Sequence, residues 1–202
     1  MIAIIDYNMG NLASVYNACK KLDTKATIVN NPDKLKDFDK IILPGVGAYG
    51  DAMEHLKDTG MNQAILEYAH SGKPMIGICL GMQLLFESSQ EFGYHKGLGL
   101  IDGEVVKFDK NRFDDKNLKI PHMGWNKIIT KSNKLFDNVK DPYLYFVHSF
   151  HIQTDSKNVI GNTEYGYEFA SAVNKDNIYG LQPHPEKSHD VGIEILNNFI
   201  RL

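Results

Sequence analysis

The stretch KPMIGICLGMQLLF, residues 73–86, contains an apolar run, a cysteine flanked by glycines, and a second apolar run. The first run, Met75 to Cys79, has the length and composition of a buried parallel strand, and the second is typical of a helix. Gly77 and Gly81 stand two positions on either side of Cys79, where larger side chains would collide with the backbone of a sharp strand-to-helix turn. Such a turn holds a nucleophile in a strained backbone beside the first amide N–H groups of a helix, so Cys79 is predicted to react as a thiolate.

Three apolar segments before this turn have the same strand-like character, and helical patterns separate them. The strand-like segments are Met1 to Asp6, Lys25 to Asn30 and Lys40 to Leu43. The helical patterns are Leu12 to Leu22, which Asn11 caps, and Ala52 to His70, which Thr59 and Gly60 interrupt. Strands that alternate with helices predict βαβ units and a parallel sheet.

After Gly97 the pattern changes to alternating segments separated by turns. These segments are Glu104 to Phe108, Trp125 to Thr130, Tyr143 to Phe150, Phe169 to Val173 and Ile178 to Leu181. They predict mixed or antiparallel strands, and a helical pattern from Val191 to Ile200 follows them. The sequence therefore predicts an α/β fold in which residues 1–202 form one domain.

The composition argues against several classes of function. The 202 residues carry 22 Lys and Arg against 25 Asp and Glu, a formal net charge of −3, which provides no positive field for nucleic acid. No apolar run approaches the roughly 18 to 20 residues that span a bilayer, and no signal peptide is evident, so we expect no membrane association and a cytoplasmic location. The two cysteines, Cys19 and Cys79, are too few for a disulfide framework, and Cys19 falls within a helical apolar stripe typical of a core residue.

A base for the thiolate is expected in the segment Gln182-Pro183-His184-Pro185-Glu186. Proline restricts both its own φ and the residue before it, so this segment is predicted to be extended. Residues two apart in an extended chain share a face, which places Glu186 beside His184 as the third member of a Cys-His-acid triad. The alternative is a structural turn with a solvated glutamate.

The glycines Gly45, Gly47 and Gly50 spell GxGxxG after a strand and before a helix. This is formally a dinucleotide-binding pattern, but it follows the third strand and lacks the acidic residue about 20 positions later. Backbone amides exposed by small residues also suit an oxyanion hole, and we favour that interpretation.

A metal ion could in principle be bound by His148, His151, His184 and Glu186. Their spacing matches no standard zinc pattern, and nothing in the sequence brings the two pairs together around an ion. We therefore expect no metal and no other cofactor.

Several motifs occur together and in order along the whole sequence. They are Gly45-Val46-Gly47, GICLGMQLLF at 77–86, HMGWN at 122–126, YFVHSF at 145–150 and HPEKS at 184–188. With them the chain resembles the class I (triad) glutamine amidotransferases. The resemblance implies a three-layer fold with a mostly parallel central sheet flanked by helices and a smaller mixed or antiparallel sheet. Within this class, the motifs PHMGWN at 121–126 and HPEKS at 184–188 resemble those of the glutaminase subunits that serve histidine biosynthesis.

The resemblance also implies roles for individual residues. Cys79 would attack the side-chain amide of L-glutamine, and His184, oriented by Glu186, would protonate the departing ammonia. The residues expected to surround the oxyanion or to hold the glutamine are Gly45, Val46, Gly47, Leu80, Gln83, Ser149 and Phe150.

A partner is implied because ammonia in neutral water is mostly ammonium, which has no free lone pair. By resemblance, the partner is a (βα)8-barrel cyclase subunit that forms a heterodimer and receives the ammonia. The expected docking surface comprises Asn8, Asn11, Met123, Trp125, Asn126, Tyr145 and Lys187. Alternatively, Trp125 fills a core gap and Lys187 is merely solvated.

Two other hypotheses stay open from the sequence. One is a related cysteine hydrolase that works on peptides or small amides without a partner. The other is a nucleotide-binding or regulatory module that uses residues 45–50 and does not need Cys79.

Overall fold

The computed structural model of the chain describes residues 1–114 and 117–202. Its strands are β1 (Ile2–Ile5), β2 (Ala26–Val29), β3 (Lys40–Leu43), β4 (Met75–Ile78), β5 (Phe86–Ser89), β6 (His95–Lys96), β7 (Ile101–Lys107), β8 (His122–Lys127), β9 (Ile129–Thr130), β10 (Tyr143–His148), β11 (Phe150–Gln153), β12 (Val159–Glu164), β13 (Glu168–Lys175) and β14 (Ile178–Leu181). Its α-helices are α1 (Leu12–Lys21), α2 (Tyr49–Asp58), α3 (Met61–His70), α4 (Leu80–Gln83) and α5 (His189–Arg201).

Most of the strands belong to one large sheet. Within the described ranges this sheet has 12 strands and the order β2-β1-β3-β4-β14-β13-β11-β7-β5-β6, with β12 beside β13 and β9. The strands β2, β1, β3, β4 and β14 run parallel, and beyond β14 the sheet is mixed: its pairs are antiparallel except for β7 and β5, which pair in parallel. Strands β8 and β10 form a separate antiparallel sheet. The predicted α/β class, with a parallel sheet and a smaller second sheet, is confirmed.

The parallel part of the sheet is covered on both faces, as its apolar sequence indicates. Ile2 and Ile4 of β1 pack in a cluster with α1 and α5, whereas Ala3 and Ile5 pack with α2 and α3. All four side chains are almost completely buried. Because successive strand residues point to opposite faces, this alternation produces three layers, helices over sheet over helices.

The helices begin and end near the predicted residues. The Asn11 side chain accepts a hydrogen bond from the Ser14 N–H and caps α1, and Cys19 of α1 is fully buried in the core. The interruption predicted at Thr59 and Gly60 separates α2 from α3, with Gly60 at φ 72°. Among the described residues, no helix is long and apolar enough to span a membrane.

Two predicted elements differ from those in the structure, and some strands were not predicted. The helix predicted after Cys79 is a single turn, because the chain turns back into the large sheet as β5 and buries Leu84, Leu85 and Phe86 completely. The strand predicted over Tyr143 to Phe150 is divided at Ser149, where the chain passes from the small sheet to the large one. The strand β12 was not predicted at all.

We predict that Asn198→Ala lowers the free energy of unfolding by about 1 to 3 kcal/mol, because the buried Leu135 carbonyl and the partly buried Asp137 carbonyl lose their donor. The Asn198 Nδ2 of α5 donates to the carbonyls of Leu135 and Asp137 at 3.2 and 2.8 Å. Urea unfolding measures the change. The control is Asn197→Ala, since the neighbouring amide is less buried and bonds only Glu194 at 3.5 Å. Equal losses in the two variants would contradict this account.

Candidate active site

Cys79 lies in the turn between β4 and α4, in a backbone conformation that residues other than glycine rarely adopt. Its φ and ψ are 55° and −113°. A Cβ atom on Gly77 would lie 2.5 Å from the carbonyl oxygen of Gly81, and one on Gly81 would lie 1.9 Å from that of Leu43. Both glycines are therefore required by close backbone approach, and the turn presents the sulfur at the carboxyl end of the parallel strands.

His184 follows β14, which pairs with β4 in parallel, so the sheet itself brings His184 to Cys79. The His184 Nδ1 and the Glu186 Oε1 are 2.7 Å apart, and the two side chains are 3% and 2% exposed. The expected reason was wrong: Pro185–Lys187 form a 3₁₀ turn, and only His184 is extended. The short turn, rather than an extended strand, brings the carboxylate to the imidazole.

The electrostatic setting of His184 favours its charged form. Burial alone lowers the pKa of His184, but the neighbouring Cys79 sulfur and the Glu186 carboxylate outweigh it and raise the pKa to about 10. Among the described residues the His184 Nε2 has no hydrogen-bond partner within ordinary reach, and it shares a cavity with Cys79. The arrangement can hold a proton at Nε2 beside the sulfur, which is what a thiolate-imidazolium pair requires.

This cavity has a volume of about 340 Å³. The residues in its wall that the sequence analysis named are Val46, Gly47, Cys79, Leu80, Gln83, Ser149, Phe150 and His184. The wall also contains Glu91, Pro121, Val147 and His148, which were not predicted as site residues. Residues that lie far apart in the sequence thus line one cavity together with the Cys79 sulfur.

The predicted oxyanion loop lies over Cys79. Val46 and Gly47 line the cavity, whereas Gly45 is packed so tightly that a Cβ atom would lie 2.7 Å from the Gly81 nitrogen and 2.8 Å from the Tyr7 hydroxyl. The Tyr7 hydroxyl donates to the Pro44 carbonyl at 2.9 Å and fixes the start of the loop. Among the described hydrogen bonds, none has the N–H group of Val46, Gly47 or Leu80 as its donor, and all three residues line the cavity.

Two glutamines connect the far wall of the cavity to the nucleophile. The Gln83 Nε2 donates to the Phe150 carbonyl and to the Gln182 Oε1, both at 3.0 Å. The Gln182 Nε2 in turn lies 3.8 Å from the Cys79 sulfur. Gln182 was missed in the sequence, although a polar residue directly after the apolar β14 was a usable signal.

Glu91 was also missed, and it bears on the dinucleotide interpretation of residues 45–50. The Glu91 Oε2 accepts a hydrogen bond from the Tyr49 N–H at the first residue of α2, at 2.8 Å. A carboxylate therefore occupies the helix terminus where a dinucleotide would place its pyrophosphate. Nothing in the sequence distinguished Glu91 from a surface glutamate.

The four residues considered as metal ligands, His148, His151, His184 and Glu186, form no metal site in the described structure. Within residues 1–114 and 117–202 no group of three or more His, Cys, Asp or Glu side chains is arranged to hold a metal ion. His151 contacts the Tyr167 hydroxyl at 2.8 Å, while His148 pairs with His122 at 3.0 Å.

The predicted docking residues differ in exposure. Met123 and Trp125 of β8 are 62% and 47% exposed, and the Trp125 ring stacks on His189, so Trp125 does not fill a core gap. Asn8 and Lys187 are exposed as well, whereas Asn11, Asn126 and Tyr145 are half-buried. Asn11 caps a helix and the Asn126 amide donates to the Glu164 carbonyl, so these two residues also have structural contacts.

Comparison with known sequences places this geometry in a family. Residues 3–202 match the family described as glutamine amidotransferase class-I. The imidazole glycerol phosphate synthase subunit HisH of Sulfurimonas denitrificans is 62% identical over 203 residues, covering 100% of this chain and 98% of the relative. The subunit of the same name from Methanocaldococcus jannaschii is 48% identical over 204 residues and is covered over 100% of both chains.

Solved structures agree on the fold. The structure of PurLQS from Thermotoga maritima superposes with a TM-score of 0.77 at 23% identity, covering 99% of this chain and 97% of that one. A crystal structure of a glutamine amidotransferase superposes with a TM-score of 0.76 at 15% identity, covering 98% and 99%.

We predict that Glu186→Gln lowers the pKa of His184 from about 10 toward its ordinary 6.5, because a neutral amide stabilises the imidazolium less. A raised pKa in the folded protein stabilises it below about pH 6.5, and this contribution is lost as the pH rises through about 10. The variant should therefore lose more unfolding free energy at pH 7 than at pH 10. NMR titration of His184 and urea unfolding measure the two effects. Asp190→Asn, at an exposed carboxylate, is the control, and a His184 pKa that is the same in both variants would refute the prediction.

Proposed function

Because this chain belongs to the class I glutamine amidotransferase family, we propose that Cys79, His184 and Glu186 are the triad with which it hydrolyses L-glutamine to glutamate and ammonia. It is the glutaminase subunit of imidazole glycerol phosphate synthase and serves histidine biosynthesis. The observation that carries the triad is the buried pair of His184 and Glu186, 2.7 Å apart, with His184 in the same cavity as the strained Cys79.

The chemistry proceeds in two halves. The Cys79 thiolate attacks the side-chain carbonyl carbon of glutamine, a C–S bond forms, and the carbonyl electron pair moves to the oxygen. As that pair returns, the C–N bond breaks and His184 gives its Nε2 proton to the leaving nitrogen, which departs as ammonia. Water then attacks the thioester carbonyl carbon while His184 accepts a proton from the water. The C–S bond breaks, which releases glutamate and regenerates the Cys79 thiolate. Glu186 keeps the imidazole oriented in both halves.

The oxyanion of each half is bound by backbone donors. Val46, Gly47 and Leu80 line the cavity, and none of the described hydrogen bonds has one of their N–H groups as its donor, so these groups are suited to a charge that develops only in the transition state. Gly45 supports the loop from beneath.

The rest of the glutamine is held by polar groups of the far wall. Gln83 and the backbone of Ser149 and Phe150 border the cavity and offer donors and acceptors to the α-carboxylate and α-ammonium groups. Glu91 adds a carboxylate whose charge complements the α-ammonium group of the substrate.

The partner that receives the ammonia is inferred to be a (βα)8-barrel cyclase subunit, forming a heterodimer. Ammonia must pass to it without mixing with bulk water, since protonation would remove the reactive lone pair. The exposed side chains of Met123, Trp125 and Lys187 offer a contact surface, together with Asn8, Asn11, Asn126 and Tyr145.

Two further proposals concern the chain as a whole. Residues 1–202 act as one domain, a proposal supported by the two core clusters on opposite faces of a single sheet. The enzyme works in the cytoplasm, a proposal supported by two cysteines that are both free and buried.

We predict that Cys79→Ala lowers glutamate release from glutamine at least about 1,000-fold, because no other side chain can form the thioester. The assay uses the purified chain alone and with the cyclase subunit and its nucleotide ligand, and we expect weak activity alone and a many-fold rise in the complex. Cys19→Ala is the matched control, since Cys19 belongs to α1 and its side chain is buried in the core. Activity in Cys79→Ala refutes the triad, full activity without the partner favours an independent hydrolase, and inactivity in the complex overturns the partner.

We predict that Glu91→Gln raises the KM for glutamine about tenfold, equivalent to about 1.4 kcal/mol, and changes kcat less. The amide still accepts from the Tyr49 N–H, so the start of α2 is preserved while the negative charge is lost. Glu87→Gln is the control, because that carboxylate bonds the Gly103 N–H away from the cavity. Steady-state kinetics of the complex measure the KM of both variants. An unchanged KM in Glu91→Gln would show that Glu91 does not bind the substrate.

A further inference from the structure

Two buried histidines face each other across the small sheet. His122 of β8 and His148 of β10 are directly paired in the strand register and are 2% and 6% exposed. The His122 Nδ1 and the His148 Nε2 are 3.0 Å apart. Polar rings at this depth require partners for their nitrogens, since an unpaired buried donor or acceptor destabilises the fold.

The partners of the two rings determine which nitrogens carry hydrogen. The His148 Nδ1 lies 2.7 Å from the Phe150 carbonyl, which only accepts, so Nδ1 is the donor. Nε2 of a neutral His148 is then an acceptor, and the His122 Nδ1 must donate to it. The His122 Nε2 is left as an acceptor, and the Asn126 Nδ2 lies 3.2 Å from it. Every hydrogen bond therefore points from Asn126 toward Phe150.

This direction holds only while both rings are neutral. Burial lowers the pKa of His122 to about 4. Burial, reinforced by the proximity of His122, lowers the pKa of His148 well below 6.5. Both imidazoles are thus neutral at pH 7, which is the state that the one-way sequence of donors requires.

The same Phe150 carbonyl accepts a second hydrogen bond from the opposite side. Gln83 donates to it at 3.0 Å, Gln83 also donates to the Gln182 Oε1 at 3.0 Å, and Gln182 reaches the Cys79 sulfur at 3.8 Å. The Phe150 carbonyl is therefore the point at which the histidine pair meets the groups around the nucleophile.

We propose that His122 and His148 are positioning residues that hold the Phe150 carbonyl in place and, through it, the Gln83 side chain in the glutamine cavity. This inference rests on the proposed glutaminase site. Neither ring is required to transfer a proton or to touch the scissile amide. Together with Asn126 they form a buried polar support for one wall of the cavity.

The first test is the tautomeric state of the two rings in the full chain labelled with 15N-histidine. We expect two-bond nitrogen-proton correlations at pH 7 to show His122 and His148 protonated on Nδ1 alone. Replacement of each histidine assigns its signals. If His148 carries its hydrogen on Nε2, the direction is wrong and the proposal fails. This result does not depend on glutaminase activity, so it separates the proposal from the proposed function.

The second test compares His122→Phe with His122→Asn in the complex with the synthase partner. Phenylalanine removes the donor, so we expect the His148 ring to lose its single tautomer and the KM for glutamine to rise about fivefold to tenfold with a smaller change in kcat. Asparagine keeps an N–H donor near the position of Nδ1 and should restore most of the affinity. A His122→Asn variant as impaired as His122→Phe would overturn the proposal.

The matched control is His151→Phe. His151 is also buried, at 3% exposure, and bonds the Tyr167 hydroxyl at 2.8 Å, but it has no contact with the Phe150 carbonyl among the described hydrogen bonds. Its loss should destabilise the fold without changing the tautomer of His148 or the KM. If both phenylalanine variants raise the KM equally, the histidines contribute only general stability and the positioning role is excluded.

Discussion

The close approach of two backbones at the nucleophile turn sets the positions of the groups around it. The space at Gly81 is so small that a single Cβ atom would lie 1.9 Å from the Leu43 carbonyl oxygen. This contact presses the end of β3 against the start of α4, and the loop that follows Leu43 is thereby laid over Cys79. The parallel pairing of β4 with β14 then delivers His184 to the same edge of the sheet. The positions of Cys79, His184 and the loop after Leu43 therefore depend on this close approach and on the pairing of β4 with β14.

Much of this arrangement could be predicted because it depends on patterns of neighbouring residues in the sequence. Glycines around a cysteine, prolines around a histidine and alternating apolar runs each act within a few residues, and they predicted the turn at Cys79, the proximity of His184 to Glu186 and the parallel strands. What could not be predicted depends on contacts between distant residues. Gln83 meets Gln182 across 99 positions of sequence, and Glu91 reaches α2 across 42. The 3₁₀ turn at Pro185 could not be decided from the local pattern, since proline permits both an extended chain and a first helical turn.

The charges in the cavity are arranged so that burial does not neutralise them. The Glu186 carboxylate lies 2.7 Å from the His184 ring and favours its charged form, and such pairing is how buried ionic groups avoid most of the cost of desolvation. Glu91 adds a further negative charge at the wall. A ligand with an ammonium group complements that charge, whereas an anionic ligand would be repelled.

The division of the predicted strand at Ser149 has a mechanical consequence. Strand β10 ends in the small sheet and β11 begins in the large one, so the cavity lies at the junction of two sheets, which the hydrogen bond from the His184 N–H to the Tyr145 carbonyl also connects. Cys79 follows a strand of the large sheet, and Val147 and His148 belong to the small one. A molecule that fills the cavity contacts residues of both sheets at once. A displacement of the outer strand β8 would therefore change the width of the cavity.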